Sequence, residues 1–156
     1  MARPLTVSIE AFGGDAGPSI VVTALRRAMQ RHPQARFLLH GDEAQLKALL
    51  ARHAKLKDKV AIRHAAERVS MEDKPSHVLR RGRETSMWHA IGSVKTGDAD
   101  VAVSAGNTGA LMAVSMFQLG IIEGVSRPAI ATIWPTLRGQ SIVLDCGANV
   151  SASAEQ

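Results

Sequence analysis

Residues 98–113 read DADVAVSAGNTGALMA, and the class of fold is decided in this stretch. Val101, Ala102 and Val103 have the composition of a short strand, Gly106-Asn107-Thr108-Gly109 that of a turn, and Ala110 begins an apolar helical run. A strand that feeds such a turn leaves the first N–H groups of the following helix unpaired and directed into it. Those donors, together with the positive end of the helix dipole, suit an anion, most often a phosphate. Gly106 and Gly109 put no Cβ between the backbone and a ligand. Ser104, Asn107 and Thr108 add side-chain donors at the same place. The same residues also suit a tight turn without a ligand, with Thr108 as N-cap.

Strand and helix patterns alternate on either side of this stretch. Leu5–Ile9 alternates like a strand and is followed by the turn EAFGGDAGP, residues 10–18. Val21, Ala24, Leu25 and Ala28 then fall at helical spacing, with Pro18 in the first turn. Arg36–His40 predicts a second strand. Asp42 and Gln45 resemble a capping box for a helix whose Leu46, Leu49, Leu50 and His53 share a face. Val60–Ile62 predicts a third strand, and residues 63–84, with Pro75 and Gly82, a long loop with room for one helical turn. Thr85 or Ser86 can cap a helix carrying Met87, Ala90, Ile91 and Val94, which Gly97 ends. Further strands are expected at Ala129–Trp134 and Ser141–Asp145. The alternation predicts an α/β fold with a largely parallel sheet covered on both faces.

The chain has 156 residues, enough to bury a core without staples. A single cysteine, Cys146, excludes an internal disulfide framework and fits a reducing compartment. Residues 1–14 lack the apolar stretch of a signal peptide. The longest apolar run, Thr108–Ile122, is too short to span a bilayer and predicts a buried helix. The formal charge of +5 is unevenly distributed, with 15 Lys or Arg against 6 Asp or Glu between Arg26 and Arg83. Such a segment attracts an acidic partner, or simply solvates surface helices. Nucleic acid is disfavoured: there is no Tyr, only 3 Phe and 2 Trp, and no aromatic platform among the basic residues. Ser153 and Gln156 have capping-box spacing, a helix-start signal at the end of the sequence and an expectation that it is cut from something longer.

Six blocks occur in order: EAFGGDAGP, HGDE, RRGRETSM, VSAGNTGALMA, SRPAI and LDCGANV. Together they resemble the PlsX family of bacterial phosphate acyltransferases, over essentially the whole chain. The resemblance implies a Rossmann-like three-layer α/β/α fold related to the phosphotransacetylases and the isocitrate dehydrogenase group. It further implies transfer of a fatty acyl group from acyl carrier protein to inorganic phosphate for phospholipid synthesis, a cytoplasmic homodimer, and peripheral membrane association. Two blocks depart from the family pattern. Glu10 stands where the family usually has Asp, so its carboxylate projects one methylene further. The block that reads Lys-Lys-Asp-Ser-Ser-Met in the family is here Gly82-Arg83-Glu84-Thr85-Ser86-Met87, with one lysine lost. Family members are about twice as long, so residues 1–156 are expected to be one α/β domain, the N-terminal half of a longer one.

A phosphate oxygen attacking a thioester needs alignment and oxyanion stabilisation more than an enzyme nucleophile. The turns at Gly13-Gly14-Asp15, at Gly106–Gly109 and at Gly147-Ala148-Asn149 are all expected at the carboxyl edge of the sheet, where such folds bind ligands. The expected catalytic residues are Asp15, Asn107 and Arg83. Phosphate is expected to meet Gly13, Gly14, Thr85, Ser86, Ser104, Gly106, Thr108, Gly109, Asp145, Gly147 and Asn149. Several of these have a second reading: Asp15 as an Asx-turn or cap, Thr85 or Ser86 as N-cap, Arg83 as an exposed charge, Asp145 as a partner of loop amides. Cys146 suits a small buried hydrophobe better than an acyl carrier. His77 and His89 can reach the site from the basic loop or lie at the surface. The six histidines show no metal-ligand spacing, and the glycines match neither G-x-G-x-x-G nor the P-loop, so no metal or cofactor is expected. Two other readings remain: a non-catalytic fragment that binds phosphate or a partner, and a phosphotransacetylase-type enzyme using acyl-CoA.

Overall fold

The computed structural model describes residues 3–125 and 127–145. It divides into two units, Met1–Leu119 and Gly120–Gln156. In the first, four strands form a wholly parallel sheet: β1 (Thr6–Glu10), β2 (Arg36–Gly41), β3 (Val60–His64) and β4 (Val101–Val103), in the order β3-β2-β1-β4. Five helices connect or flank them: α1 (Pro18–Arg31), α2 (Glu43–Leu50), α3 (Pro75–Arg81), α4 (Ser86–Lys95) and α5 (Thr108–Leu119).

The two-residue period of β1 and β2 assigns the faces. Val7, Ile9, Phe37 and Leu39 meet Val22 and Leu25 of α1 and Leu46 of α2 in one core. On the other face Met87 and Ile91 of α4 pack with Val78 of α3 and with Ala110 and Val114 of α5. Helices therefore cover both sides of the sheet in three layers. The helix on the second face rests on a polar seam. Ser8 Oγ donates to the Ala90 carbonyl at 2.8 Å, Ser86 reaches Glu10, and Ser93 reaches His40. Residues 86, 90 and 93 lie on one side of a helix, so the seam is written in its spacing.

Local signals set the ends. Pro18 opens α1, Asp42 caps α2 by accepting from Gln45 N at 2.8 Å, and Thr85 caps α4 by accepting from Trp88 N. Gly97 follows α4 with φ of 80°, a conformation that glycine adopts without strain.

The structure differs from the sequence reading in three places. Within the expected loop 63–84, Pro75–Arg81 is helical and Gly82–Glu84 adds a 3₁₀ turn. Seven residues are too few to hold a helix alone, and burial of Val78 in the second core supplies the difference. The apolar α5 is not buried all round: Ala110, Val114 and Gln118 are buried, whereas Phe117 and Leu119 are exposed. Its i, i+4, i+8 stripe is the part turned inward. In the second unit, β5 (Ala131–Thr136) and β6 (Gly139–Leu144) pair antiparallel rather than adding parallel strands. Only two residues separate them, far fewer than a parallel crossover needs.

Gly41 ends β2 against the ring of Phe12: a Cβ there would lie 2.1 Å from Phe12 Cδ2. Gly41→Ala must displace that ring. It is expected to lower unfolding free energy by about 1–3 kcal/mol, measured by urea denaturation.

Candidate anion-binding site

From β1 the chain turns through α1 to β2 on one side, and from β3 it crosses to β4 on the other side of β1. The carboxyl ends of β1 and β4 are therefore a topological switch point, where loops diverge and leave a crevice. Both small-residue turns of that crevice are in contact. A Cβ on Gly13 would stand 2.7 Å from the backbone nitrogen of Gly106, and one on Gly14 would stand 2.8 Å from the Ala105 carbonyl oxygen. Gly14 also has φ of 78°. No side chain beyond hydrogen fits at either position.

Under these turns sits Glu10, which the sequence reading noted as a departure but left out of the site. It is 1% exposed. Ser86 Oγ donates to Glu10 Oε1 at 3.3 Å, Ser104 Oγ donates to Oε2, and the Gly106 N–H donates to Ser104 Oγ at 2.9 Å. Burial pushes the Glu10 carboxyl above its ordinary pKa, and the two serine hydroxyls pull it back part of the way. The available signal was a carboxylate closing a strand whose other residues are apolar or hydroxylic.

Asn107 lies in the turn that opens α5. Its Oδ1 accepts from Ala110 N at 3.0 Å, so Asn107 and not Thr108 caps α5. Its Nδ2 donates to the carbonyls of Ser70, Met71 and Asp73 at 3.2, 3.1 and 2.9 Å. The amide thus straps the 70–73 loop to the start of α5, and Pro75 covers Gly109 closely. Thr108 and Gly109 open the helix, where the first N–H groups lack intrahelical partners.

The hydroxyls of the next block are committed to the scaffold. Thr85 Oγ1 donates to the Gly82 carbonyl at 2.6 Å and caps α4, while Ser86 holds Glu10. Asp15 is exposed in its turn. Arg83 is exposed, with its guanidinium 6.0 Å from the Trp88 ring centroid. His77 is exposed, and His89 Nε2 stands 3.9 Å from Glu84. Asp145 belongs to the second unit, has φ of 57°, and donates its N–H to the Ile130 carbonyl. Gly147 and Asn149 lie outside the described residues, as does Cys146. Among the described residues no three metal-ligating side chains cluster, and no helix is long and apolar enough to cross a membrane.

His40 lies beside Glu10 in the sheet register and is 2% exposed. Ser93 Oγ donates to the His89 carbonyl at 3.1 Å, so it accepts from His40 Nε2 at 3.3 Å, which puts the imidazole proton there. Burial, and then the positive neighbours His89 and Arg63, hold the His40 pKa down to about 4.

The first thing the fold defines is a class: an α/β protein with two glycine turns meeting at the switch point of a parallel sheet. The sequence pattern of the fatty acid synthesis protein family matches residues 5–156. The chain belongs to that family. It is 54% identical over 153 residues to the phosphate acyltransferases of Brucella ovis and Brucella abortus. The match covers 97% of this chain and 44% of each of those proteins, so the chain spans less than half their length. A solved phosphotransacetylase from Streptococcus pyogenes superposes with a TM-score of 0.66 at 16% identity, over 98% of this chain and 50% of that one. That likeness concerns the fold, which is the Rossmann-like α/β/α arrangement expected.

Two outcomes follow from this geometry. Asn107→Asp keeps a good cap for α5 but sets carboxylate oxygen against three carbonyls. Hydrogen exchange in residues 70–73 should accelerate at least about ten-fold while α5 stays protected; equal loosening of both would contradict the strap. For His40 the folded state binds a proton only near pH 4, whereas the unfolded state binds one below about pH 6.5. Stability is therefore lost as pH falls from 6.5 towards 4, by roughly 3 kcal/mol from this group. Glu10, with its raised pKa, works in the opposite sense, losing stability as pH rises above about 4.5. Denaturation midpoints of His40→Gln against the parent between pH 4 and 7 isolate the histidine part, and parallel curves would contradict it.

Proposed function

We propose that the full-length protein is a phosphate acyltransferase that moves a fatty acyl group from acyl carrier protein to inorganic phosphate. The observation that carries this reading is the contact between the Gly13-Gly14 and Ala105-Gly106 turns at the start of α5, on a chain of this family. The site supplies close backbone approach, a helix N-terminus and no bulky side chain, which is what a small tetrahedral anion requires. In the reaction a phosphate oxygen forms a bond to the thioester carbonyl carbon. The tetrahedral oxyanion collapses, the carbon–sulfur bond breaks, and the thiolate leaves with the carrier, giving acyl-phosphate. Alignment and oxyanion stabilisation do the work, so no covalent enzyme intermediate is needed.

Asn107 serves by shaping the start of α5, Asp15 acts from the rim of the first turn, and Arg83 is assigned to the catalytic set on the resemblance alone. Thr85 and Ser86 support the cradle from beneath. The acidic carrier protein docks on the exposed arginines Arg80, Arg81 and Arg83 at the end of α3. A cytoplasmic homodimer with peripheral membrane contact completes the reading, and these features rest on the resemblance.

The test is acyl-phosphate formation by the full-length protein, with acyl carrier protein and acyl-CoA as alternative donors. Turnover with the carrier is expected, and turnover with acyl-CoA alone would favour phosphotransacetylase-type chemistry. Failure with both donors would defeat the enzyme reading. Reversing Arg80, Arg81 and Arg83 to Glu is expected to raise KM for the carrier about ten-fold and flatten its dependence on salt. Unchanged kinetics would remove the docking surface and leave the reaction standing.

A further inference from the structure

We propose that Glu10 is the positioning residue of this site: one carboxylate, held by Ser86 and Ser104, fixes the β1 and β4 turns and the first turn of α4 in the relative placement that phosphate requires. The inference rests on the reaction reading above and adds to it a residue that makes no contact with the reacting atoms.

Three elements meet at this side chain. Glu10 ends β1, Ser104 follows β4, and Ser86 opens α4. Each carboxylate oxygen takes one hydroxyl, so the side chain cannot rotate without breaking a bond to β4 or to α4. Ser104 extends the connection by accepting the Gly106 N–H. The chain Glu10–Ser104–Gly106 thus orients the Ala105–Gly106 peptide, one before the peptide that leads into Asn107 and α5. Space is filled as closely as the bonds are aimed. A Cβ on Gly13 would stand 2.7 Å from Glu10 Oε2, and one on Gly106 would stand 3.0 Å from the same oxygen. Both glycines are therefore seated on the carboxylate, and the contact between the turns is set by its position.

A group chosen for stability alone would be a poor fit here. A carboxylate that is 1% exposed, with no cation bonded to it among the described residues, costs free energy that an apolar side chain would not. What it provides instead is two directed bonds to different elements, which an apolar group cannot make. An Asp at this position can make the same kind of contacts with a shorter reach, so conservative replacement is informative.

The experiment uses the natural full-length protein and reads KM for phosphate apart from kcat. Glu10→Ala is expected to raise KM for phosphate at least about ten-fold with kcat within about three-fold. Glu10→Asp should bring KM back to within about three-fold of the parent. Adding Ser104→Ala to Glu10→Ala should change KM by less than about two-fold, because both remove one connection. A Glu10→Ala protein with native circular dichroism and KM unchanged overturns the proposal. If that variant does not fold, Ser86→Ala and Ser104→Ala carry the test: each should raise KM about five-fold, and parental KM in both overturns it. A phosphate titration followed at the Gly13 and Gly106 amides by NMR separates this inference from the reaction reading. Phosphate-dependent shifts weakened by these variants, in a protein that makes no acyl-phosphate, would sink the reaction and support Glu10. Turnover without any shift at those amides would sink Glu10.

Discussion

The structure turns on the hydrogen bonds that Glu10 receives from Ser86 and Ser104 beneath two glycine turns. A buried carboxylate is an expensive group, and its cost is offset only when its oxygens are well occupied. Here both oxygens are occupied, by hydroxyls that belong to a helix start and to the segment after a neighbouring strand. The turns above can close only because Gly13, Gly14 and Gly106 carry no side chains. Polar satisfaction below and steric permission above are thus one arrangement. Removing either leaves the other without a purpose.

The same logic extends along α4. Helices usually meet sheets through apolar side chains, as α1 and α2 do here through Val22, Leu25 and Leu46. The face of α4 turned to the strands instead offers Ser86, the Ala90 carbonyl and Ser93 to Glu10, Ser8 and His40. Apolar packing tolerates sliding, whereas directed bonds define a register. Met87 and Ile91 of the same helix meet α3 and α5 and provide the burial. One helix therefore does two jobs on two faces: it holds its layer together, and it aligns that layer with the carboxyl edge where the turns meet.

Asn107 shows how far single residues could be read beforehand. Its place in a strand–turn–helix pattern was legible. Its partners were not, because Ser70, Met71 and Asp73 lie more than thirty residues away in sequence. The helix at Pro75–Arg81 was hidden for the same reason: Val78 becomes a core residue only when α5 is beside it. Glu10 read as the first residue of a turn and His40 as the last residue of a strand, and both are inside. Period-two spacing assigns residues to a face but does not say what covers it.

By itself, the order of apolar and polar residues determined the alternation of strands and helices, the parallel sheet, the helix cap at Asp42, and the glycine turns after β1 and β4. These are local properties, set by side-chain spacing and by backbone conformations that only a few residues adopt. Tertiary structure alone decided that β1 and β4 are neighbours, that their turns touch, and that Glu10 is buried between Ser86 and Ser104. The reason is physical: a carboxylate's partners, exposure and pKa are set by atoms remote along the chain, and those meet only when the sheet and its second layer close.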